Sequence, residues 1–472
     1  MKFRVPHVFI FLSAIILITS LLTYVIPSGS FERSTRTEGK LQQVVVIPGS
    51  YQEIPKHYSV EGLLIGTKEE GKANPISALS LLTAIPRGLT QSGTLIFFIF
   101  MIGVAFSIIF ETGALLALLF RLIDRFKKRP KLLFFAIYAT FSFASAFMGI
   151  HLELIPLIPV LILLAQQTGY NRIFGLALGV LPAWAGWATG VTNPFNVQIA
   201  QQIAELPIGS GILFRFILFL IGLGAGFSYL MWYGNKVFNP DPSSRDHEDL
   251  EPAPTDKPVL LSRHIVILAA VVVCYAGILA AVQTLDWGLI EMSGGFIGMG
   301  LVVIAIAKMN EQQTMDAIMK GLKMMLVPAL VVGIARGISV VMYEGQIIDT
   351  ILNGAAQTLS GVSGTMAAEG MLIFQTGLNF FIPSASGQAL VSMPLMTPLA
   401  DLLGLSRQTA VLAYVLGDGI SNLIIPTNGA LMAMLGMGKV SFEKWFRFIW
   451  PIFIILMIIG AVSLAVAVGV GY

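Results

Sequence analysis

Long apolar blocks alternate with shorter polar breaks along the whole chain. Val8 to Ile26, Phe216 to Trp232, Ile265 to Val282 and Ile449 to Val470 are each apolar over about the 20 residues a helix needs to cross a hydrocarbon core. They predict transmembrane helices. Polar breaks fall at Ser28 to about Gln91, around Arg121 to Lys131, at Asn235 to His264 and at Lys308 to Lys323. The stretch from Asn239 to Pro254 is proline-rich and charged with nothing to bury, and reads as an inter-repeat linker. The pattern predicts an all-α polytopic membrane protein.

The pattern also occurs twice. With the chain displaced by 235 residues and no gap, Pro159 meets Pro394, Ala165 meets Ala400, Gly169 meets Gly404, Arg172 meets Arg407, Thr192 meets Thr427 and Asn193 meets Asn428. These identities include structure breakers and a polar pair. In each copy an apolar helix reaches a small or polar turn, Met148-Gly-Ile-His151 or Pro383-Ser-Ala-Ser-Gly387, and a second apolar helix follows. The next helix is then interrupted, by Gly190-Val-Thr-Asn-Pro194 or by Ile425-Pro-Thr-Asn-Gly429. The organisation predicted is a first transmembrane helix (1–27), an external segment (28–92), a first repeat (93–233), a cytoplasmic linker (234–264), two connecting helices (265–323) and a second repeat (324–472). The re-entrant hairpins fall at about 131–165 and 367–404, and the broken helices at about 172–204 and 407–435.

Charge placement gives the two copies opposite orientation. Arg121, Arg125, Lys127, Lys128, Arg129 and Lys131 precede the first hairpin, whereas Tyr343 to Ala367, before the second, contains no Lys or Arg. By the positive-inside rule the first entry is cytoplasmic and the second external. Lys2 and Arg4 precede a first apolar stretch longer than a signal-peptide core, with no small-residue cleavage pattern. A retained helix with a cytoplasmic N-terminus in an inner membrane is expected.

Composition narrows the function. Hydrophobic residues make up 56% of the chain and charged ones 12%, with a mean hydropathy of +0.81, against roughly 25% charged in soluble domains. The net charge of +3 forms no basic stripe, so nucleic acid is not a partner. The sole cysteine, Cys274, excludes an internal disulfide and a thiolate metal cluster, and reads as a packing residue. Gly436-Met-Gly-Lys-Val440 lacks the spacing and hydroxyl of a phosphate-binding loop, and neither a serine nucleophile elbow nor a metal-spaced histidine pair occurs. The chain is therefore read as no enzyme and as needing no cofactor. Transport would draw on an ion or exchange gradient.

Unwound backbone at membrane depth survives only where protein or a watery cavity satisfies it. Inverted repeats with discontinuous helices are a common construction of secondary transporters, in which half-helix N-termini face anionic groups and free carbonyls hold cations. Candidate binding residues therefore cluster at the turns and breaks. Thr192, Asn193, Asn196, Thr427 and Asn428 supply oxygens and amides suited to a carboxylate or a Na⁺ shell, or else cap the broken helices. Ser384, Ser386 and Gln388 are carboxylate donors or ordinary turn formers. Glu153 and Asp418 stand in apolar helices, where an acid binds a proton or an amine unless it is merely buried, and Ser421 and Asn422 follow Asp418 by one turn. His151 is a ligand or a packed tip residue. Arg336 meets a substrate carboxylate or forms a structural ion pair, and the pairs Gly222/Gly226 and Gly294/Gly298 fit close helix packing.

Pro6-His-Val, Leu22-Thr-Tyr-Val-Ile-Pro-Ser-Gly-Ser-Phe31, Asp286-Trp-Gly-Leu-Ile-Glu-Met292 and the two breaks Gly190-Val-Thr-Asn-Pro-Phe195 and Ile425-Pro-Thr-Asn-Gly429 carry a family resemblance. Over essentially its whole length the chain resembles the four-carbon-dicarboxylate anaerobic carrier family, in particular its YfcC-like branch of basic amino acid antiporters. The resemblance implies the wider ion transporter superfamily: two inverted repeats, two re-entrant hairpins, a homodimer, and an elevator-type sliding of a transport domain against a scaffold. Relatives in that superfamily place Ser-Asn-Thr at both hairpin tips for carboxylate and Na⁺. Here the tips read Gly149-Ile-His151 and Ser384-Ala-Ser386, so the motif is absent from the first and partial at the second. Na⁺ and H⁺ both stay open as coupling ions. The function expected is a secondary transporter or antiporter for a small carboxylate-bearing solute, an amino acid ahead of a four-carbon dicarboxylate. A membrane-embedded subunit or enzyme without transport activity is the alternative of another class.

Overall fold

The computed structural model describes residues 8–38, 41–66, 69, 71–126, 129–239, 259–285 and 287–472. Lys2, Arg4, Pro6, Lys127, Lys128, Asp286 and most of the predicted linker lie outside the described residues.

After α1 (Val8–Val25) come β1 (Ser28–Ser30), β2 (Arg33–Glu38), β3 (Leu41–Val46) and β4 (Gln52–Ile54). They pair antiparallel as β1 with β4 and β2 with β3. These two small sheets correct the all-α expectation. The segment is too polar to offer a helix a continuous apolar face, and its Thr and Val residues favour extended backbone.

Helices then follow without interruption. They are α2 (Val60–Leu64), α3 (Ala78–Gln91), α4 (Gly93–Glu111), α5 (Ala114–Phe126), α6 (Pro130–Met148), a 3₁₀ turn (Leu152–Leu157), α7 (Ile158–Gln167), α8 (Arg172–Thr189), α9 (Val197–Ile203) and α10 (Ile212–Val237). The second half holds α11 (Ser262–Thr284), α12 (Leu289–Ala307), α13 (Glu311–Glu344), α14 (Ile348–Ser360), α15 (Gly364–Phe381), α16 (Ala385–Leu402), α17 (Arg407–Ser421), α18 (Gly429–Met437) and α19 (Phe442–Val470). Side-chain caps start many of them: Asn171 accepts from Phe174 N, Ser406 from Thr409 N and Asn428 from Leu431 N. Among the described residues, six helices are long and apolar enough to cross a membrane: α4, α6, α10, α12, α13 and α19.

The helices pack as two bodies. In one, α13 lies along α1, α3 and α4, and α12 joins α4 to α11. In the other, α8 packs on α6, α7 and α10, α17 packs on α15, α16 and α19, and α8 and α17 cross each other. α18 lies between the bodies, against α13 on one side and the 3₁₀ turn on the other. The last part of the predicted 28–92 segment is α3, which packs against α13.

Small residues let the backbones approach where no hydrophobic drive separates helix from lipid. A Cβ on Gly88 would lie 2.3 Å from the Gly333 carbonyl oxygen, and one on Gly226 would lie 2.1 Å from the Tyr138 hydroxyl. Gly294 and Gly298 differ from the expectation of close packing, having nothing within 4 Å. The tightest approach to backbone is at the crossing of α8 and α17, where a Cβ on Gly419 would fall 2.1 Å from Cα of Ala188. Backbone cannot yield there, so Gly419→Val should cost about 3 kcal/mol or more and lower the melting temperature in detergent. A wild-type melting curve would contradict this packing.

The β-segment is tied to the second half of the chain. Asp349, at the start of α14, is buried and accepts both oxygens' worth of bonds from Arg33 Nη2 (2.9 and 2.8 Å) and one from Phe31 N (2.9 Å). Lys56 Nζ donates to the carbonyls of Thr23 and Ile26 at the C-terminal end of α1, where a cation complements the helix dipole.

Candidate functional site

Two turns and two helix breaks meet at the interface of the bodies. α6 ends at Met148 and Gly149 adopts φ +73°, a conformation glycine takes at no steric cost. A Cβ there would also lie 2.7 Å from Asn193 Oδ1, so the first turn closes directly onto the first break. α8 ends at Thr189, Gly190 follows at φ +44°, and helix resumes only at Val197. The freed backbone is satisfied locally. Thr192 N donates to Ala146 O (3.2 Å), Thr192 Oγ1 to Phe147 O (3.0 Å) and Asn193 Nδ2 to Ser145 O (3.4 Å). Asn196 Nδ2 donates to Trp187 O (2.9 Å) and its Oδ1 accepts from Val197 N. Thr192 and Asn193 thus stitch the break to the end of α6, Asn196 ties it to α8, and none of the three lines the cavity below.

The second pair is built differently. α15 ends at Phe381, and Ser384 Oγ accepts from Gly387 N (3.4 Å) as α16 begins. α17 ends at Ser421 and α18 starts at Gly429. A run of amides fills the gap. Asn379 Nδ2 donates to Asp418 O (2.9 Å), Ser421 Oγ (2.7 Å) and Asn422 Oδ1 (3.0 Å), and Asn428 Nδ2 donates to the same Asn422 Oδ1. Ser421 Oγ donates to Gly417 O at 2.6 Å. Thr427 Oγ1 and Asn379 Oδ1 are buried with no hydrogen-bond partner. In an apolar surrounding each such atom is costly. Gln388 is fully buried and donates to Gln375 O (2.9 Å) and Oε1 (2.7 Å), which makes it a clamp between the arms α15 and α16.

Between these features lies a cavity of about 480 Å³. Of the sequence-predicted residues, His151, Glu153, Ser384, Ser386, Asp418, Asn422 and Asn428 line it; Thr192, Asn193, Asn196, Gln388, Ser421 and Thr427 do not. Its opposite wall comes from the other body and is apolar: Leu95 of α4, then Trp287, Gly288, Leu289 and Met292. No Lys or Arg is among the lining residues. Arg336 lies elsewhere, donating from Nε to Gln91 Oε1 (3.2 Å) between α13 and α3, which is neither of the roles expected of it.

Both acids are held. Asp418 Oδ2 accepts from Trp187 Nε1 at 2.7 Å and Oδ1 from Asn422 Nδ2 at 3.4 Å, joining the helix of the first break to that of the second. Glu153 Oε2 accepts from His151 N at 3.0 Å, and the Tyr275 hydroxyl of α11 donates to the Glu153 carbonyl. The His151 ring packs on Trp184 and Trp187, with centroids 5.1 and 4.2 Å away. Sequence reading missed Trp184, Trp187, Asn379 and Tyr275. The spacing Trp184-Ala-Gly-Trp187, one helical turn ending just before the Gly190 break, was a usable signal for the first two. Asn379 and Tyr275 had none, because they reach the site from helices without a break.

The model of the DcuC family, described as C4-dicarboxylate anaerobic carrier, matches residues 5–469. The chain is 31% identical over 503 positions to "Putative basic amino acid antiporter YfcC" of Escherichia coli (strain K12), covering 100% of this chain and 98% of that one. It is 27% identical over 514 positions to an uncharacterized protein of Haemophilus influenzae, covering 99% and 97%. Among solved structures it is similar to the Alcanivorax borkumensis YdaH transporter, with 16% identity, a TM-score of 0.44 and 99% of each chain covered.

Proposed function

Because the chain belongs to the C4-dicarboxylate anaerobic carrier family, a family of membrane transporters and not of enzymes, we propose that it is a secondary antiporter whose solute is a small amino acid, and a basic one. The observation that carries this reading is the charge of the cavity: two carboxyl groups, Glu153 and Asp418, and no Lys or Arg among its lining residues. A dicarboxylate brought there would meet two acids and no cation. An amino acid uses both kinds of group, its carboxylate at the N-terminal ends of α16 and α18, beside Ser384, Ser386 and Asn428, and its cations at the acids.

In this proposal 93–233 and 324–472 are inverted repeats, and α6–α7 and α15–α16 are re-entrant hairpins. The body built on α8 and α17 slides as an elevator against the body built on α13, within a homodimer. The protein sits in the inner membrane with its N-terminus in the cytoplasm. An oxygen-rich second break, with the unpartnered Thr427 Oγ1, suits a coupling cation better than the first, whose Thr192 and Asn193 are engaged with α6. H⁺ carried on an acid is the other coupling ion that fits.

Thermal stabilisation of the purified protein tests the reading. A ligand of the folded state at 100 times its Kd adds about 2.7 kcal/mol. Arginine, lysine or ornithine should raise the melting temperature, with and without Na⁺ deciding the ion. A rise with succinate or fumarate alone would replace the proposal with four-carbon dicarboxylate transport.

A further inference from the structure

The wall opposite the two acids contains a tryptophan, Trp287, at the corner between α11 and α12. Trp287 N donates to Ala281 O (3.4 Å) at the end of α11, and the next residue, Gly288, donates its N–H to Glu291 Oε2 (3.0 Å) to cap α12. The indole is wedged in the α11–α12 seam: a Cβ on Gly295 would lie 3.2 Å from Trp287 Cζ3 and 2.7 Å from Ile278. One turn before Ile278, Tyr275 donates its hydroxyl to the Glu153 carbonyl. The helix α11 thus joins the seam that holds Trp287 to Glu153, and both residues line the cavity. Asp418, bound through Asn422 to Asn428 at the start of α18, lines the same cavity.

The other two indoles are less accessible. Trp184 and Trp187 are 1% and 3% exposed and are covered by the His151 ring. Trp287 is half-buried and lines the cavity from the body that carries neither acid.

We infer that Trp287 determines specificity in this cavity by presenting its aromatic face to the side-chain cation of the solute, whose charge Glu153 balances. The inference rests on the basic amino acid reading above and adds how a basic side chain is told from a neutral one. Tryptophan offers the strongest quadrupole of the aromatic side chains, and the contact strengthens in a desolvated site. A neutral side chain of the same shape gains neither the ring nor the acid. A carboxylate in that place is repelled by both. The α-carboxylate and α-amine are left to the helix ends and Asp418.

Titration calorimetry with L-arginine and L-citrulline tests this, since citrulline keeps the shape and replaces the guanidinium with a neutral ureido group. The wild-type protein should prefer arginine. Trp287→Leu should weaken arginine about tenfold and citrulline by much less, with Trp287→Phe between the two for arginine. Equal losses for both ligands, or arginine binding at wild-type strength in both variants, would overturn the inference. Should the leucine variant not fold, the comparison of Trp with Phe decides alone. A wild-type protein that binds neither ligand but binds succinate removes the underlying reading, and that outcome is visible before any variant is made.

Discussion

Asp418→Asn should abolish the proposed exchange of basic amino acids while leaving the fold intact. Asparagine keeps the shape of the side chain, and its Oδ1 can still accept from Trp187 Nε1, which bonds Asp418 at 2.7 Å. What is lost is the one group at that position that can carry a negative charge. A hydrogen bond to a charged group contributes about 1.5–3 kcal/mol, and the buried cation of a bound solute would then face a neutral amide. Affinity for arginine should fall roughly 100-fold, which corresponds to about 2.7 kcal/mol. Counterflow in proteoliposomes and the arginine-induced thermal shift read this directly. The melting temperature without ligand separates the effect from misfolding. Wild-type exchange in this variant and in Glu153→Gln together would show that the acids do not hold the solute.

Under the proposed elevator motion, a disulfide between positions 332 and 429 should stop transport and a reductant should restore it. Val332 lies on α13 and Gly429 opens α18, the helix between the bodies that packs against α13. A Cβ on Gly429 would lie 2.8 Å from Val332 Cγ2, which places the two Cβ atoms within about 4.3 Å, inside the usual disulfide range. Replacing Val332 by Cys also removes one of the two methyl groups in the way. With Cys274 changed to Ala, the pair Val332→Cys and Gly429→Cys is the only one that can form. An elevator needs α18 to move past α13, so oxidation should reduce exchange to the rate of empty vesicles, and reduction should return it. Unchanged exchange in the fully oxidised protein would exclude sliding along this interface.

The multi-pass helical character of the chain could be read from its sequence because it depends on nothing distant. About 20 apolar residues in a row span a hydrocarbon core wherever they stand. Gly190 with Pro194, and Pro426 with the polar residues around it, interrupt helix by their own backbone chemistry, since glycine tolerates φ +44° and proline lacks an N–H. The family resemblance rested on such local features too. The β-strands between Ser28 and Ile54 were missed because a short polar segment has no strong periodicity of its own. What decides its form there is the bonding of Phe31 and Arg33 to Asp349, more than 300 residues away.

Membership of the site is a tertiary matter. Thr192 and Thr427 coincide when the chain is displaced by 235 residues, yet Thr192 is bonded to the end of α6 while Thr427 Oγ1 has no partner. Asn193 and Asn428 are likewise matched in sequence, and only Asn428 lines the cavity. The sequence by itself determined that there would be polar residues at membrane depth, because apolar surroundings leave them only satisfied or functional roles. Only the packing of α8 against α17, and of both against the body that carries Trp287 and Tyr275, decided which role each took. A side chain's partner is set by what the opposite helix brings within about 3 Å, and no local pattern along the chain encodes that distance.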